Sequence, residues 1–131
     1  MRKSSFQMND PVLLNVVFKV NNDFEASDSV LNLVISDAKD ISYHAENVAN
    51  VSYSVRVFDE NFESGAPFFI EVSYSAVFSW SDLEADEVET LLNHNAPAIL
   101  LGYVRPLIAH LSSNAGFPPL HLPLLNLQDD E

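Results

Sequence analysis

The sequence has no cysteine and only three glycines among its 131 residues. The lack of cysteine excludes disulfide bonds, thiolate nucleophiles and cysteine-ligated metal, and it fits a reducing compartment. With so few glycines the chain cannot build a phosphate-cradling loop, so nucleotide hydrolysis is not expected. No stretch approaches the ~18 uninterrupted apolar residues of a membrane-spanning helix, so membrane insertion is not expected either.

Basic residues are also scarce. Six lysines and arginines stand against 19 acids, which gives a formal net charge of −13. A phosphate backbone would be repelled, so nucleic-acid binding is disfavoured. Two interpretations of the charge stay open: it maintains solubility, or it attracts basic partners and keeps an exposed apolar surface from self-association.

Signatures of catalysis are missing as well. The four histidines have neither the helical spacing of a metal site nor a zinc-binding pattern. The acids of residues 82–89 fit the solvated start of a helix, where the helix dipole favours negative charge. We therefore expect a protein that is not an enzyme and that has no cofactor.

Hydrophobic residues make up 47% of the chain, enough for the packed core of a single domain over residues 1–131. Several segments alternate apolar and polar residues with a period of two, which predicts an antiparallel sheet with one wet face. Polar connectors at 37–40 and 59–67 favour hairpins between the strands. The apolar positions are Val12, Leu14, Val16, Phe18 and Val20; Leu31, Leu33 and Ile35; Val51, Tyr53, Val55 and Val57; and Phe68, Ile70, Val72, Tyr74, Ala76, Phe78 and Trp80.

The pattern turns helical after the last strand. Ser81 and Glu84 suggest a capping box that opens a short acidic helix. A longer helix is predicted to start near Pro97 and to stop at Gly116, with a kink at Pro106.

The long helix is apolar around much of its circumference. Leu100, Tyr103, Leu107 and Leu111 form one stripe, and further apolar residues lie beside it. One sheet face covers only part of such a helix, so a second subunit is expected to cover the rest. The alternative is an ordinary buried helix in a monomer.

The segment that follows, residues 117–127, contains three prolines and five leucines. Its prolines exclude a regular helix and discourage a central strand. Two arrangements remain open: an extended strap across the sheet or helix, or the lining of a groove.

Three blocks of the second half stand out: residues 68–72 with the following Phe78-Ser79, residues 98–105 with Ile-Leu and then Tyr-x-Arg, and residues 115–122, which read Ala-Gly-Phe-Pro-Pro-Leu-His-Leu. These blocks resemble the SecB family of protein-export chaperones, in which the third block follows the pattern Gly-x-Phe-Pro-x-Leu-x-Leu. A later asparagine, Asn126, completes the third block. The blocks follow one another in the family's order and at nearly constant spacing.

The resemblance implies an α+β fold, in which a long interface helix packs on a four-stranded antiparallel sheet. It also implies a dimer or dimer of dimers that holds unfolded polypeptides without ATP, with the SecA motor as a further partner. Candidate client-binding residues are Leu31, Leu33, Phe117, Leu120, Leu122 and Leu124, and Glu71 is the candidate for the partner surface. Leu100, Tyr103, Leu107 and Leu111 are the candidates for the oligomer interface.

Two family features linked to protein export are not found in this sequence. The family's second helix and metal-binding tail have no counterpart in these residues, so client holding is better supported than docking on SecA. An interaction module with one specific partner, such as a toxin–antitoxin chaperone or a regulator, is the alternative. No apolar signal-peptide core follows the basic N-terminus, so a cytoplasmic location is expected.

Overall fold

The computed structural model describes residues 4–25 and 31–123. Five strands form one antiparallel sheet: β1 (Phe6–Met8), β2 (Val12–Val20), β3 (Ile35–Ala45), β4 (Val48–Val57) and β5 (Phe68–Trp80). They are followed by α1 (Ala85–Thr90), a π-helical segment (Leu91–Asn95) and α2 (Ala96–Asn114). The predicted α+β class, with one long helix packed on an antiparallel sheet, is confirmed.

β5 is the longest strand and organises the sheet. Both β1 and β2 pair with it on one side, and β4 pairs with it on the other, with β3 beyond β4 at the far edge. The predicted first strand corresponds to β2, and β1, which was not predicted, precedes it on the same edge of the sheet after a break at residues 9–11. Hairpins join β3 to β4 and β4 to β5 as expected, but β2 and β3 lie on opposite edges and are not joined by one.

Three local predictions about the strands are wrong. Leu31 and Leu33, predicted on a strand with Ile35, precede β3, which begins at Ile35. Residues 37–40 are not a connector, because they lie inside β3 and pair with residues 52–55 of β4. The turn instead lies at Glu46 and Asn47, where Asn47 adopts a positive φ of 61°. In β2 an irregularity between Leu13 and Asn15 breaks the alternation, so that Val12 lies opposite Ser75 and not on the core face.

The core lies between the sheet and α2. Opposite residues of antiparallel strands share a face, so the pairs Val55–Val72 and Val57–Ile70 point together towards the helix. From α2, Leu100, Val104 and Ile108 meet them, and all of these side chains are fully buried. Pro106 lies within the helix, as predicted.

The start of α1 differs from the expectation. The cap is Glu84 and not Ser81, and the Glu84 backbone N–H donates to the Glu87 carboxylate at 3.1 Å. The capping box is therefore shifted by one turn along the sequence. The π-helical segment, which reads Leu-Leu-Asn-His-Asn, continues directly from α1 into α2, so no loop separates the two helices.

A polar contact crosses from β4 to β3 on the helix face. The Tyr53 hydroxyl donates to Asp37 Oδ2 at 2.7 Å, and Tyr53 itself is only 2% exposed. Burial, followed by the bond to the Asp37 carboxylate, raises the pKa of Tyr53 far above its usual value. The hydroxyl consequently stays protonated at physiological pH, and the bond persists there.

We expect Tyr53→Phe to destabilise the fold by about 1 kcal/mol in urea unfolding, because Asp37 loses a charge-assisted donor but remains exposed enough to regain water. Tyr43→Phe is the matched control, since Tyr43 is 62% exposed, and it should change stability by less than about 0.5 kcal/mol. Equal effects of the two changes would contradict this role for the Tyr53–Asp37 bond.

Candidate polypeptide-binding and assembly surfaces

One end of the sheet carries a cluster of phenylalanines. The Phe68 ring lies 5.5 Å from Phe18, 5.7 Å from Phe58 and 5.0 Å from Phe117, measured between ring centroids. The Phe58 backbone N–H donates to the Val34 carbonyl at 2.8 Å. This chain of contacts brings the segment before β3 to the same end of the sheet as the segment after α2.

The segment before β3 leaves its apolar side chains in water. Leu31 and Leu33 are 41% and 40% exposed, and Val34 is 53% exposed. Side chains of this kind are normally scattered singly on a surface, whereas here they are neighbours beside an aromatic cluster. We call residues 31, 33 and 34 the leucine segment.

The other predicted client-binding residues are more enclosed. Phe117 and Leu120 are half-buried and pack against the core, and Leu122 is 1% exposed. Leu122 is therefore a core residue of this chain. Leu124 lies outside the described residues.

The polypeptide from Phe117 to Leu122 is a strap clipped to α2. Gly116, with φ of +93°, ends the helix, and the N–H groups of Gly116 and Phe117 donate to the carbonyls of Ser113 and Ser112. The Leu120 N–H donates to Ser112 Oγ at 2.8 Å, and Arg105 Nη2 donates to the Leu122 carbonyl at 2.8 Å.

Of the two arrangements left open by the sequence, the strap is the one observed up to residue 123. Ser112 was not among the predicted site residues, although it is fully buried and holds the strap. The sequence did contain a signal for this role, because the helical period places Ser112 on the buried face of α2, where a serine is unusual.

The residues of the predicted interface stripe on α2 differ in burial. Leu100 is fully buried against the sheet of its own chain, so it is not available to a second subunit. Tyr103 is 42% exposed, while Leu107 and Leu111 are half-buried. Ile99, outside the predicted stripe, is 40% exposed and lies on the outer side of the helix.

The exposed surface at Tyr103 adjoins the edge of the sheet. Its ring lies 5.9 Å from that of Tyr74, and Tyr74 is the partner of Leu13 in the β2–β5 register. Leu13 is 44% exposed and Val16, next to it on the same strand, is 38% exposed. We call Leu13, Val16, Tyr74, Tyr103 and Ile99 the edge patch.

Glu71 lies on the opposite, helix-free face of the sheet. Arg56 Nε donates to its Oε1 at 2.6 Å, and Asn15 Nδ2 donates to its Oε2. The side chain is only 17% exposed. The carboxylate that was predicted to meet a basic partner is thus already neutralised within this chain, and its neighbours on that face are largely serines.

Two negative findings apply to residues 4–25 and 31–123. None of the helices there is long and apolar enough to cross a membrane. Within the same ranges, no group of three or more histidine or acidic side chains is arranged to hold a metal ion.

A family model described as "Preprotein translocase subunit SecB" matches residues 16–129. The chain belongs to the SecB family. Among curated relatives, a protein-export protein SecB of Wolbachia from Brugia malayi is 30% identical over 95 residues, which are 70% of this chain and 56% of the relative. The SecB of Anaplasma phagocytophilum is 38% identical over 84 residues, which are 61% of this chain and 53% of the relative.

The SecB-family chain aligns with only about half the length of these relatives. A solved structure of comparable extent is the SecB-like chaperone of Mycobacterium tuberculosis in complex with a ChAD peptide from an antitoxin. It has a TM-score of 0.70 and 18% identity, and it covers 93% of this chain and 88% of its own. A Streptococcus agalactiae protein of unknown function has a TM-score of 0.56, 14% identity and coverage of 94% and 100%. These likenesses establish the SecB-like fold.

We expect Ser112→Ala to destabilise the fold by about 1–2 kcal/mol, because the Leu120 N–H loses its acceptor. Hydrogen exchange at the Leu120 amide should accelerate beyond what the global loss explains, since the strap detaches locally. Ser113→Ala is the control on the exposed neighbour and should leave both measurements unchanged. Unaltered exchange at Leu120 in Ser112→Ala would show that the strap does not depend on this bond.

Proposed function

We propose that this SecB-family chain is an ATP-independent holdase that binds unfolded or non-native polypeptides in the cytoplasm. The exposed leucine segment beside the aromatic cluster carries the proposal, since it offers contiguous apolar surface at one end of the sheet. The function requires neither catalysis nor a cofactor. Protein export is the context that the names of the curated relatives favour.

Binding is driven by burial of the client's apolar side chains on the leucine segment and on the exposed parts of Phe117 and Leu120. Such burial contributes about 25 cal/mol per Å² before the cost of ordering the client. β3 follows directly and forms the free edge of the described sheet, so an extended client can also pair with its backbone. Backbone pairing and contact area select weakly among sequences, which suits a holdase.

A narrower function is the second candidate: recognition of one specific partner polypeptide. It is favoured by the Mycobacterium tuberculosis structure, whose chain is similar in extent to this one and is bound to a single antitoxin peptide. The two candidates differ in breadth. A holdase should protect several unrelated clients, whereas a dedicated module should protect one.

Docking on SecA would use the helix-free face of the sheet. Glu71, the predicted contact, is bound by Arg56 and Asn15, so an incoming basic group would have to displace Arg56. This competition favours client holding over SecA docking as the role of the described surfaces.

Assembly follows from the edge patch. Tyr103, Leu13 and Val16 leave apolar area at the outer edge of β2 and beside α2, and a second copy can cover it through a two-fold axis. We infer a dimer at least, with a dimer of dimers as the family's larger form.

The holdase is tested by light scattering of several denatured clients diluted into buffer with and without the protein. Stoichiometric protein should suppress aggregation, and Leu31→Ser/Leu33→Ser should lose most of the suppression because apolar contact area is removed. Val12→Ser/Leu14→Ser, also at exposed residues but on the opposite edge strand, is the matched control. Failure to protect any client would reject the holdase, and protection of a single client would select the dedicated module.

Assembly is tested by multi-angle light scattering at micromolar concentration. The mass should be at least twice the 14.6 kDa of one chain. Tyr103→Asp should reduce it to the monomer, because a buried interface would enclose an unpaired charge. Ser42→Asp, at an exposed site on the other sheet face, is the control. A wild-type monomer would contradict the assembly.

A further inference from the structure

A cleft of about 440 Å³ opens between the second half of α2 and the strap. Arg105, His110 and Ser113 line it from the helix, and His121 and Leu122 line it from the strap. Among the residues that the structure describes, no carboxylate lines this cleft, although the chain has 19 acids against six lysines and arginines. The local charge is thus opposite in sign to the charge of the whole molecule.

Arg105 differs from Lys19 and Arg56, each of which forms an ion pair. Lys19 pairs with Glu60 at 2.7 Å, and Arg56 pairs with Glu71 at 2.6 Å. Among the described residues Arg105 has no ion pair; its hydrogen bond goes to the Leu122 carbonyl at 2.8 Å. That bond uses one of five N–H donors and holds the guanidinium in the wall of the cleft.

The packing of Arg105 indicates that its position is fixed before any ligand arrives. Its Nε is buried and has no acceptor within the described part of the chain. The terminal nitrogens then present a forked pair of donors, the geometry that matches a carboxylate. A pre-ordered side chain loses little conformational freedom on binding.

We propose that this cleft is a binding site for a polypeptide carboxylate, the side chain of an aspartate or glutamate. Arg105 supplies the permanent charge, and His110 and His121, which also line the cleft, supply imidazole N–H donors. The site goes beyond apolar holding, because it recognises charge. Two sources bring the same chemistry: an acidic segment of another polypeptide, or Asp129, Asp130 and Glu131 of this chain, which follow the strap in the sequence.

The test uses the full chain and a short fluorescent aspartate-rich peptide, blocked at both ends, with its asparagine counterpart as the control ligand. At low salt the aspartate peptide should bind about tenfold or more tightly than the asparagine peptide, the ratio expected for a charge-assisted pair. Raising the salt concentration should narrow this difference, since the attraction between the peptide carboxylates and Arg105 is electrostatic.

Arg105→Gln should abolish the preference for aspartate, with circular dichroism and urea unfolding reporting whether the strap still packs. His110→Ala/His121→Ala changes only exposed positions, so it keeps the fold, and it should weaken binding of the aspartate peptide several-fold because two imidazole donors are lost. His44→Ala, at an exposed site on β3, is the matched control and should bind as the wild type does.

Equal affinity for the two peptides would overturn the proposal, as would wild-type affinity in the double histidine variant. The variant Asp129→Asn/Asp130→Asn/Glu131→Gln separates the sources. If the chain's own acids occupy the cleft, this variant should bind the added peptide several-fold more tightly; unchanged affinity assigns the cleft to another polypeptide. None of these measurements uses an unfolded client, so their failure is distinct from failure of the holdase.

Discussion

A single helix is narrower than the sheet on which it packs, and this mismatch determines which strands are buried and which are exposed. An α-helix with its side chains is about 10 Å across, and neighbouring strands lie about 4.8 Å apart, so one helix covers roughly two strands. α2 packs on β5 and β4. The strands on either side are left largely uncovered, which explains why Leu13 and Val16 of β2 are exposed while Val55 and Val72 are fully buried.

The uncovered apolar surfaces lie at opposite sides of the sheet. The edge patch belongs to β2 and to the side of α2 that carries Tyr103, whereas the leucine segment leads into β3 at the far edge. A second copy can cover the edge patch without closing the leucine segment. Assembly and client binding are thus compatible within one short chain.

Much of the fold could be predicted from the sequence, because period-two alternation in β4 and β5 and the apolar run of α2 are strong, local signals. The same reasoning failed at residues 37–40, where Asp37 and Lys39 resemble a turn. Both face the helix side of β3, yet Asp37 receives the Tyr53 hydroxyl and Lys39 Nζ donates to the Asn93 carbonyl. Their polar groups are satisfied across the fold, and no local pattern reports such partners.

The site was harder to predict than the fold, for a related reason. Sequence patterns do not distinguish a leucine that is buried in the core, like Leu122, from one that is exposed, like Leu33. The difference depends on where the strap lies on the folded chain. Ser112 and Arg105, two polar residues of α2, set that position because they hydrogen-bond to the strap backbone once the chain has folded. Because a polar clip, and not hydrophobicity alone, places the strap, the cleft beside it inherits the charge of Arg105. The acidic chain consequently carries a recess lined by Arg105 between the strap and the second half of α2.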